Sequence, residues 1–104
     1  QPPRGELLLA QAADGSLRGC VALRPMGEPE AAEMKRLYVT PSGRGAGLGR
    51  ALVAAIIDCA ATLGYRTISL DTLPSMTDAI RLYRTLGFYY ATPIVGTVFL
   101  RRHL

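Results

Sequence analysis

Apolar residues follow helical spacing over one long stretch of the chain, at positions 48, 52, 56, 59, 60 and 63. This periodicity predicts a helix over residues 48–63, which Gly64 would end. A second helix is predicted to begin at Ser75, which resembles an N-cap because Asp78 follows three positions later, and to end at Gly87. Its apolar face would be formed by Ile80, Tyr83 and Leu86.

Short runs rich in apolar and β-branched residues predict six strands around these two helices. Asp14-Gly15 is typical of a hairpin turn and separates the first two strands. The predicted strands cover residues 6–11, 18–23, 31–39, 67–71, 88–91 and 97–102. The order β-β-β-α-β-α-β-β predicts an α/β fold of the α+β type, in which a mixed, mostly antiparallel sheet has helices packed against it.

The length of 104 residues fits one compact domain over residues 1–104. Apolar residues make up 49% and charged residues 19%, as in ordinary globular proteins. No apolar run approaches the roughly 20 residues that a membrane span needs, and no charged-then-apolar leader is present. These features predict a cytoplasmic domain with no membrane partner.

The formal net charge of +4 does not by itself indicate a nucleic-acid partner. The basic residues are scattered, without a basic run or interleaved exposed aromatic residues, so we expect no nucleic-acid partner. Attraction of a small polyphosphate explains the charge equally well. Cys20 and Cys59 match no metal-ligand spacing and have only His103 as a companion, so they are predicted to be reduced core thiols without a metal.

A glycine-dense segment, Arg-Gly-Ala-Gly-Leu-Gly at residues 44–49, lies between the third predicted strand and the first predicted helix. Such a turn leaves backbone N–H groups free to bind an anion at the positive end of the helix. Arg44 and Arg50 flank the segment, and the first acidic residue along the helix is Asp58. Two cations at a positive helix end indicate a negative ligand, although a solvated glycine-rich loop would show the same residues.

Two better-known phosphate loops fit poorly. A Walker A loop requires Gly-x-x-x-x-Gly-Lys followed by Ser or Thr, which the sequence lacks. The dinucleotide fingerprint Gly-x-Gly-x-x-Gly, started at Gly45, places Arg50 where its last glycine should be. Asp71 lies about where that fingerprint wants its acidic residue, so a nucleotide-binding α/β fragment stays open as an alternative.

The loop matches Arg-x-x-Gly-x-Gly through Arg44, Gly47 and Gly49, and here the chain resembles the GNAT superfamily of acetyl-CoA-dependent N-acetyltransferases. The similarity extends to Leu-Tyr-Val-x-Pro before the loop and to Leu-Tyr-x-x-x-Gly-Phe at residues 82–88. It covers roughly residues 31–88. Members of this superfamily usually have a further strand and two helices before the position where this sequence begins.

The resemblance implies that acetyl-CoA is the cosubstrate and that no metal takes part. The loop amides would hold the pyrophosphate, because glycine lets a phosphate approach the backbone closely. The end of the preceding strand would splay from its neighbour and offer amides to the pantetheine and the acetyl oxygen. Relatives often have Asn where this chain has Met76, and Ser75 could replace it. The implied cofactor-binding residues are Leu37, Tyr38, Val39, Arg44, Gly45, Ala46, Gly47, Leu48, Gly49, Arg50 and Ser75.

Two side chains are the implied catalytic residues. Glu33 would be the general base, because it precedes Arg44 by the spacing of a catalytic glutamate in related histone acetyltransferases. The alternative is an exposed strand glutamate or one paired with Lys35, and Glu30 is the reserve base. Tyr83 would protonate the departing thiolate, since a phenol with a pKa of about 10 can do so, although an apolar helix face often holds a merely structural tyrosine.

The sequence therefore predicts an N-acetyltransferase that moves an acetyl group from acetyl-CoA to a primary amine by direct attack. An acyl-CoA-binding module without catalysis is the alternative from a different class. The residues do not identify the acceptor, and the resemblance leaves a homodimer open. Asp71 would line the acceptor site or bond loop amides, and Tyr89 and Tyr90 would wall the acceptor pocket or fill the sheet.

Overall fold

The computed structural model describes residues 5–27, 30–41, 44–45, 47–91 and 96–104. The predicted order of elements is confirmed, with bounds that differ by at most two residues. The elements are β1 (Glu6–Gln11), β2 (Leu17–Pro25), β3 (Ala31–Val39), α1 (Leu48–Thr62), β4 (Thr67–Thr72), α2 (Thr77–Thr85), β5 (Tyr89–Tyr90) and β6 (Val98–His103).

The strands form one six-stranded sheet in the order β1-β2-β3-β4-β6-β5. Every neighbouring pair is antiparallel except β3 and β4, which are parallel because α1 crosses between them. The predicted mixed, mostly antiparallel sheet with helices against it is therefore confirmed. Within the described residues, no helix combines the length and the apolar composition that a membrane crossing would require.

Both helices pack against one hydrophobic core. Three positions of the pattern that predicted α1 are buried, namely Leu52, Ile56 and Ala60, and the helix also buries Val53 and Ile57, which the pattern did not include. α2 contributes mainly Tyr83, which meets Phe88 edge to face with ring centroids 5.8 Å apart. The sheet contributes Val21, Leu23, Ala32, Met34, Ile68, Leu70 and Leu100.

Two local predictions need correction. Ser75 does not cap α2, because Met76 occupies the N-cap position. The backbone N–H of Met76 donates to the Leu73 carbonyl oxygen at 3.0 Å, so a backbone hydrogen bond closes the turn before the helix. Both cysteines are free thiols, as predicted, but only Cys59 packs against the core. Cys20 lies half-buried on β2 outside the core, where its thiol donates to the Arg36 carbonyl oxygen at 3.4 Å.

At Gly19, β2, β3 and α1 approach one another closely. A Cβ added there would lie 2.8 Å from the Tyr38 carbonyl oxygen and 2.9 Å from Leu52 Cδ1. Neither the backbone oxygen nor the packed leucine can move freely, because each is fixed by its own element.

We predict that Gly19→Ala lowers the free energy of unfolding by about 1–3 kcal/mol through overpacking. Gly49→Ala is the matched control, since its Cβ would meet only ordinary contacts at 3.7 Å, and alanine favours a helix by up to about 1 kcal/mol. Denaturant titration of both variants measures the difference. Equal destabilisation by the two substitutions would contradict this account of the β2–β3–α1 contact.

Candidate active site

The two parallel strands of the sheet separate shortly after they begin to pair. β3 and β4 share only three register pairs, Ala31–Thr67, Ala32–Ile68 and Glu33–Ser69. Beyond them, β3 continues to Val39 while pairing only with β2, and β4 continues to Thr72 while pairing only with β6. The described part of β3 therefore presents an unpaired backbone edge to a ligand, because no neighbouring strand covers it on that side.

A β-bulge at Arg36 accompanies this separation. Cys20 pairs with Tyr38 and Ala22 pairs with Lys35, so β3 has one more residue than β2 between these two register pairs. Arg36 takes up the extra residue in the left-handed conformation, with φ +58°. That conformation costs a non-glycine residue about 1–2 kcal/mol.

The bulge also changes which side chains of β3 face the core. Met34 points into the core before the bulge, and strict alternation would send Arg36 and Tyr38 the same way. Instead Leu37 and Val39 pack against the core, and Tyr38 is exposed. The three-residue interval between the apolar Met34 and Leu37 was the sequence signal for this bulge.

The gap between the strands opens into a cleft of about 340 Å³. The unpaired parts of β3 and β4 form its walls, and the first half of α2 closes it. Both apolar and charged side chains line it. They are Met34, Lys35, Arg36, Leu37, Leu70, Asp71, Thr72, Met76, Ala79 and Tyr83.

The Tyr83 side chain lies between the core and this cleft. Only 6% of the residue is exposed, and none of the described residues hydrogen-bonds its oxygen. The described chain nevertheless contains no side-chain oxygen or nitrogen that is both fully buried and unpaired, so this hydroxyl must reach the open space of the cleft. Burial raises the pKa of Tyr83 above its usual 10.0, which keeps the phenol protonated and able to donate.

The glycine loop forms a second groove, of about 300 Å³, at the start of α1. Gly45 and Gly47 have φ +84° and +75°, a region that only glycine enters without strain. Gly47 is the N-cap of α1, no side chain caps it, and the first turn carries no acidic residue. The first turn of α1 therefore has neither a capping side chain nor an acidic residue beside its free amides.

The two arginines of the loop have different neighbours. Arg44 Nε donates to the Val39 carbonyl oxygen at 3.2 Å, so this side chain fastens the loop to the end of β3. Arg50 Nη1 donates to Thr85 Oγ1 at 3.0 Å and thereby joins the start of α1 to the end of α2. The loop groove and the cleft are lined by neighbouring residues of the same two elements, Val39 and Leu37 on β3 and Leu82 and Tyr83 on α2.

A chain of opposite charges crosses the sheet where β3 and β4 separate. Glu33, with 17% of its side chain exposed, accepts from Arg24 Nε at 2.8 Å and lies 3.4 Å from Lys35 Nζ. Lys35 Nζ also donates to Asp71 Oδ1 at 3.2 Å, which ties β3 to β4 across the opening. The hydrogen bond that Lys35 donates to Asp71, followed by the nearby Glu33 charge, raises the pKa of Lys35 despite some desolvation.

These positions answer some of the sequence predictions about site residues. Leu37, Asp71 and Tyr83 line the cleft, and Val39 with the described loop residues lines the second groove. Glu33 lies beside the cleft and forms an ion pair with Lys35, which was one of the alternatives to a catalytic role. It also forms an ion pair with Arg24, a partner that the sequence analysis did not predict. Ser75 is exposed and lies outside both linings, whereas Ala46 falls outside the described residues.

The aromatic residues after α2 divide between two environments. Tyr89 stacks on His103, and its hydroxyl lies 3.1 Å from the His103 Nε2 atom. The Arg84 guanidinium lies over the Tyr90 ring, with its Cζ atom 4.8 Å from the ring centroid. Tyr90 also lines a separate groove together with Val98. Neither tyrosine lines the cleft, so their predicted part in an acceptor pocket gains no support.

A sheet that opens between two parallel strands, beside a glycine loop at a helix start, defines the acyl-CoA acyltransferase class of fold. The acetyltransferase (GNAT) family matches residues 2–88, and the chain therefore belongs to that family. An uncharacterized N-acetyltransferase of Schizosaccharomyces pombe is 46% identical over 105 aligned positions, which cover 96% of this chain. The chain spans 64% of the length of that relative.

Solved structures of the same family superpose closely. A GCN5-related N-acetyltransferase from Kribbella flavida has a TM-score of 0.86 and 28% identity, covering 99% of this chain and 70% of that one. An acetyltransferase from Bacillus subtilis in complex with CoA has the same TM-score and identity, covering 97% of this chain and 78% of that one. The similarity therefore extends over the whole sheet and both helices.

Proposed function

We propose that this domain is an N-acetyltransferase that moves an acetyl group from acetyl-CoA to a primary amine by direct attack. The observation that carries the proposal is the unpartnered hydroxyl of Tyr83 in the cleft between the separated strands. The cleft adjoins a glycine groove suited to a pyrophosphate, and the two together match a long ligand with one anionic end. The CoA bound to the Bacillus subtilis relative supports the same cosubstrate.

The loop amides of Gly45, Gly47, Leu48, Gly49 and Arg50 would hold the pyrophosphate. The unpaired edge of β3 from Leu37 to Val39 would align the pantetheine and polarise the thioester carbonyl. Holding the thioester at a fixed place makes the reaction with a bound amine effectively unimolecular, which lowers its entropic barrier.

The chemistry then requires two proton movements. As the amine nitrogen attacks the thioester carbon, the amine loses a proton and the bond from carbon to sulfur breaks. Tyr83 would donate its phenolic proton to the departing thiolate. Glu33 would accept the amine proton directly or through a water, and its contacts with Arg24 and Lys35 would have to rearrange as it does so.

We predict that Gly47→Ala weakens acetyl-CoA binding by about tenfold. The left-handed conformation of residue 47 would cost alanine about 1–2 kcal/mol, and relief of that strain would move the loop amides. Gly15→Ala is the matched control, because Gly15 has φ +86°, open space around it and a position in the β1–β2 turn. Calorimetric titration measures both, with NAD and ATP as competing ligands.

Equal weakening by the two glycine variants would contradict the loop assignment. Preference for NAD or ATP over acetyl-CoA would favour a nucleotide-binding domain instead. Binding of acetyl-CoA should also weaken at high salt, since contacts with phosphate are screened.

We predict that Tyr83→Phe lowers kcat for amine acetylation by about 10- to 100-fold and leaves acetyl-CoA affinity nearly unchanged. Tyr65→Phe is the control, because Tyr65 is equally buried at 4% exposure but lines neither groove. Release of free CoA thiol, followed with a panel of amines, gives the rates. Full turnover by the Tyr83→Phe variant would show that Tyr83 is not the general acid. If the unaltered protein binds acetyl-CoA but does not turn over any amine, a non-catalytic acyl-CoA-binding module is favoured instead.

A further inference from the structure

The sequence contains one lysine, Lys35, beside eleven arginines. That lysine lines the cleft in which the acetyl group would be transferred. A lysine carries a primary amine, the functional group that this family acetylates, whereas an arginine side chain in a protein cannot be deprotonated to a nucleophile. The chain therefore holds a candidate acceptor within its own site.

Lys35 contacts Glu33 and shares the cleft with Leu37 and Tyr83. It precedes Leu37 by two residues on β3, on the other side of the Arg36 bulge, and both residues line the cleft together with Tyr83. Its Nζ is 3.4 Å from Glu33 Oε2. About a third of the lysine side chain is exposed, so its flexible stem has room to change rotamer.

We propose that Lys35 is an internal acceptor, and that the domain acetylates the Nζ atom of this lysine when acetyl-CoA occupies the cleft. The inference rests on the proposed function. In the step, Nζ loses a proton to the Glu33 carboxylate and bonds to the acetyl carbon. The bond from that carbon to the CoA sulfur breaks, and the thiolate takes the Tyr83 proton. The second proton that Nζ loses on forming the amide returns Tyr83 from the phenolate to the phenol. The products are Nε-acetyl-Lys35 and free CoA.

The surrounding charges determine the speed and the consequence of this reaction. Asp71 and Glu33 stabilise the ammonium form of Lys35, so the self-reaction should be slow compared with turnover of a good acceptor. Acetylation removes the positive charge that bridges β3 and β4. Glu33 then keeps Arg24 as its partner, while Asp71 loses its contact with Lys35 and becomes available to the ammonium group of an external acceptor.

The test incubates the protein with acetyl-CoA and no added amine, and follows intact mass over time. Peptide mapping separates Lys35 from the terminal amine. We expect one added acetyl group on Lys35, at a rate that saturates with acetyl-CoA concentration. Lys35→Arg, which keeps the charge without an acylatable amine, should abolish the modification, and Glu33→Gln should slow it at least about tenfold. In the Tyr65→Phe control variant, Lys35 should be acetylated at the same rate as in the unaltered protein.

Acetyl-CoA binding by calorimetry with no acetyl group on Lys35 would overturn this inference and leave the proposed function standing. Acetylation of Lys35 at the same rate in urea-unfolded protein would also overturn it, because the folded site would then contribute nothing. Failure to bind acetyl-CoA at all would overturn the proposed function, and the inference with it.

Discussion

The separation of β3 from β4 after three residue pairs is the constraint on which the rest of the site depends. A parallel strand pair that continued to Val39 and Thr72 would close the cleft and satisfy the backbone groups that a ligand must meet. The left-handed Arg36 accompanies the separation at a local cost, while β2 remains paired with β3 on both sides of the bulge. Strain of this kind persists where the surrounding structure fixes it, and it concentrates at functional sites.

Side chains on β3, β4, α1, α2 and the glycine loop then surround the opening. Lys35 bridges it with an ion pair to Asp71, Arg44 fastens the glycine loop to the end of β3, and Arg50 joins that loop to α2 through Thr85. The same contacts that stabilise the cleft therefore align the loop groove with it. Tyr83 completes the arrangement, because its ring belongs to the core while its hydroxyl faces the cleft.

Sequence reasoning recovered the elements and the loop because both follow local rules. Helical periodicity, the Asp14-Gly15 turn and a glycine-dense helix start each act over a few residues. Sequence reasoning anticipated only the Glu33–Lys35 pair of the charge chain, because its other two links, from Arg24 to Glu33 and from Lys35 to Asp71, join strands whose neighbours depend on the sheet order. Ser75 was misjudged because a backbone turn ending at Met76 supplied the hydrogen bond that a capping side chain would have made.

The central claim is that one extended ligand lies along the unpaired edge of β3 and reaches the start of α1. Amide NMR spectra recorded during titration with acetyl-CoA test this claim most directly, because each backbone N–H reports its own surroundings. The account predicts large shift changes for residues 37–39 and 47–50 together, with Gly15 in the β1–β2 turn unchanged. Saturable binding that leaves residues 37–39 unshifted would contradict it.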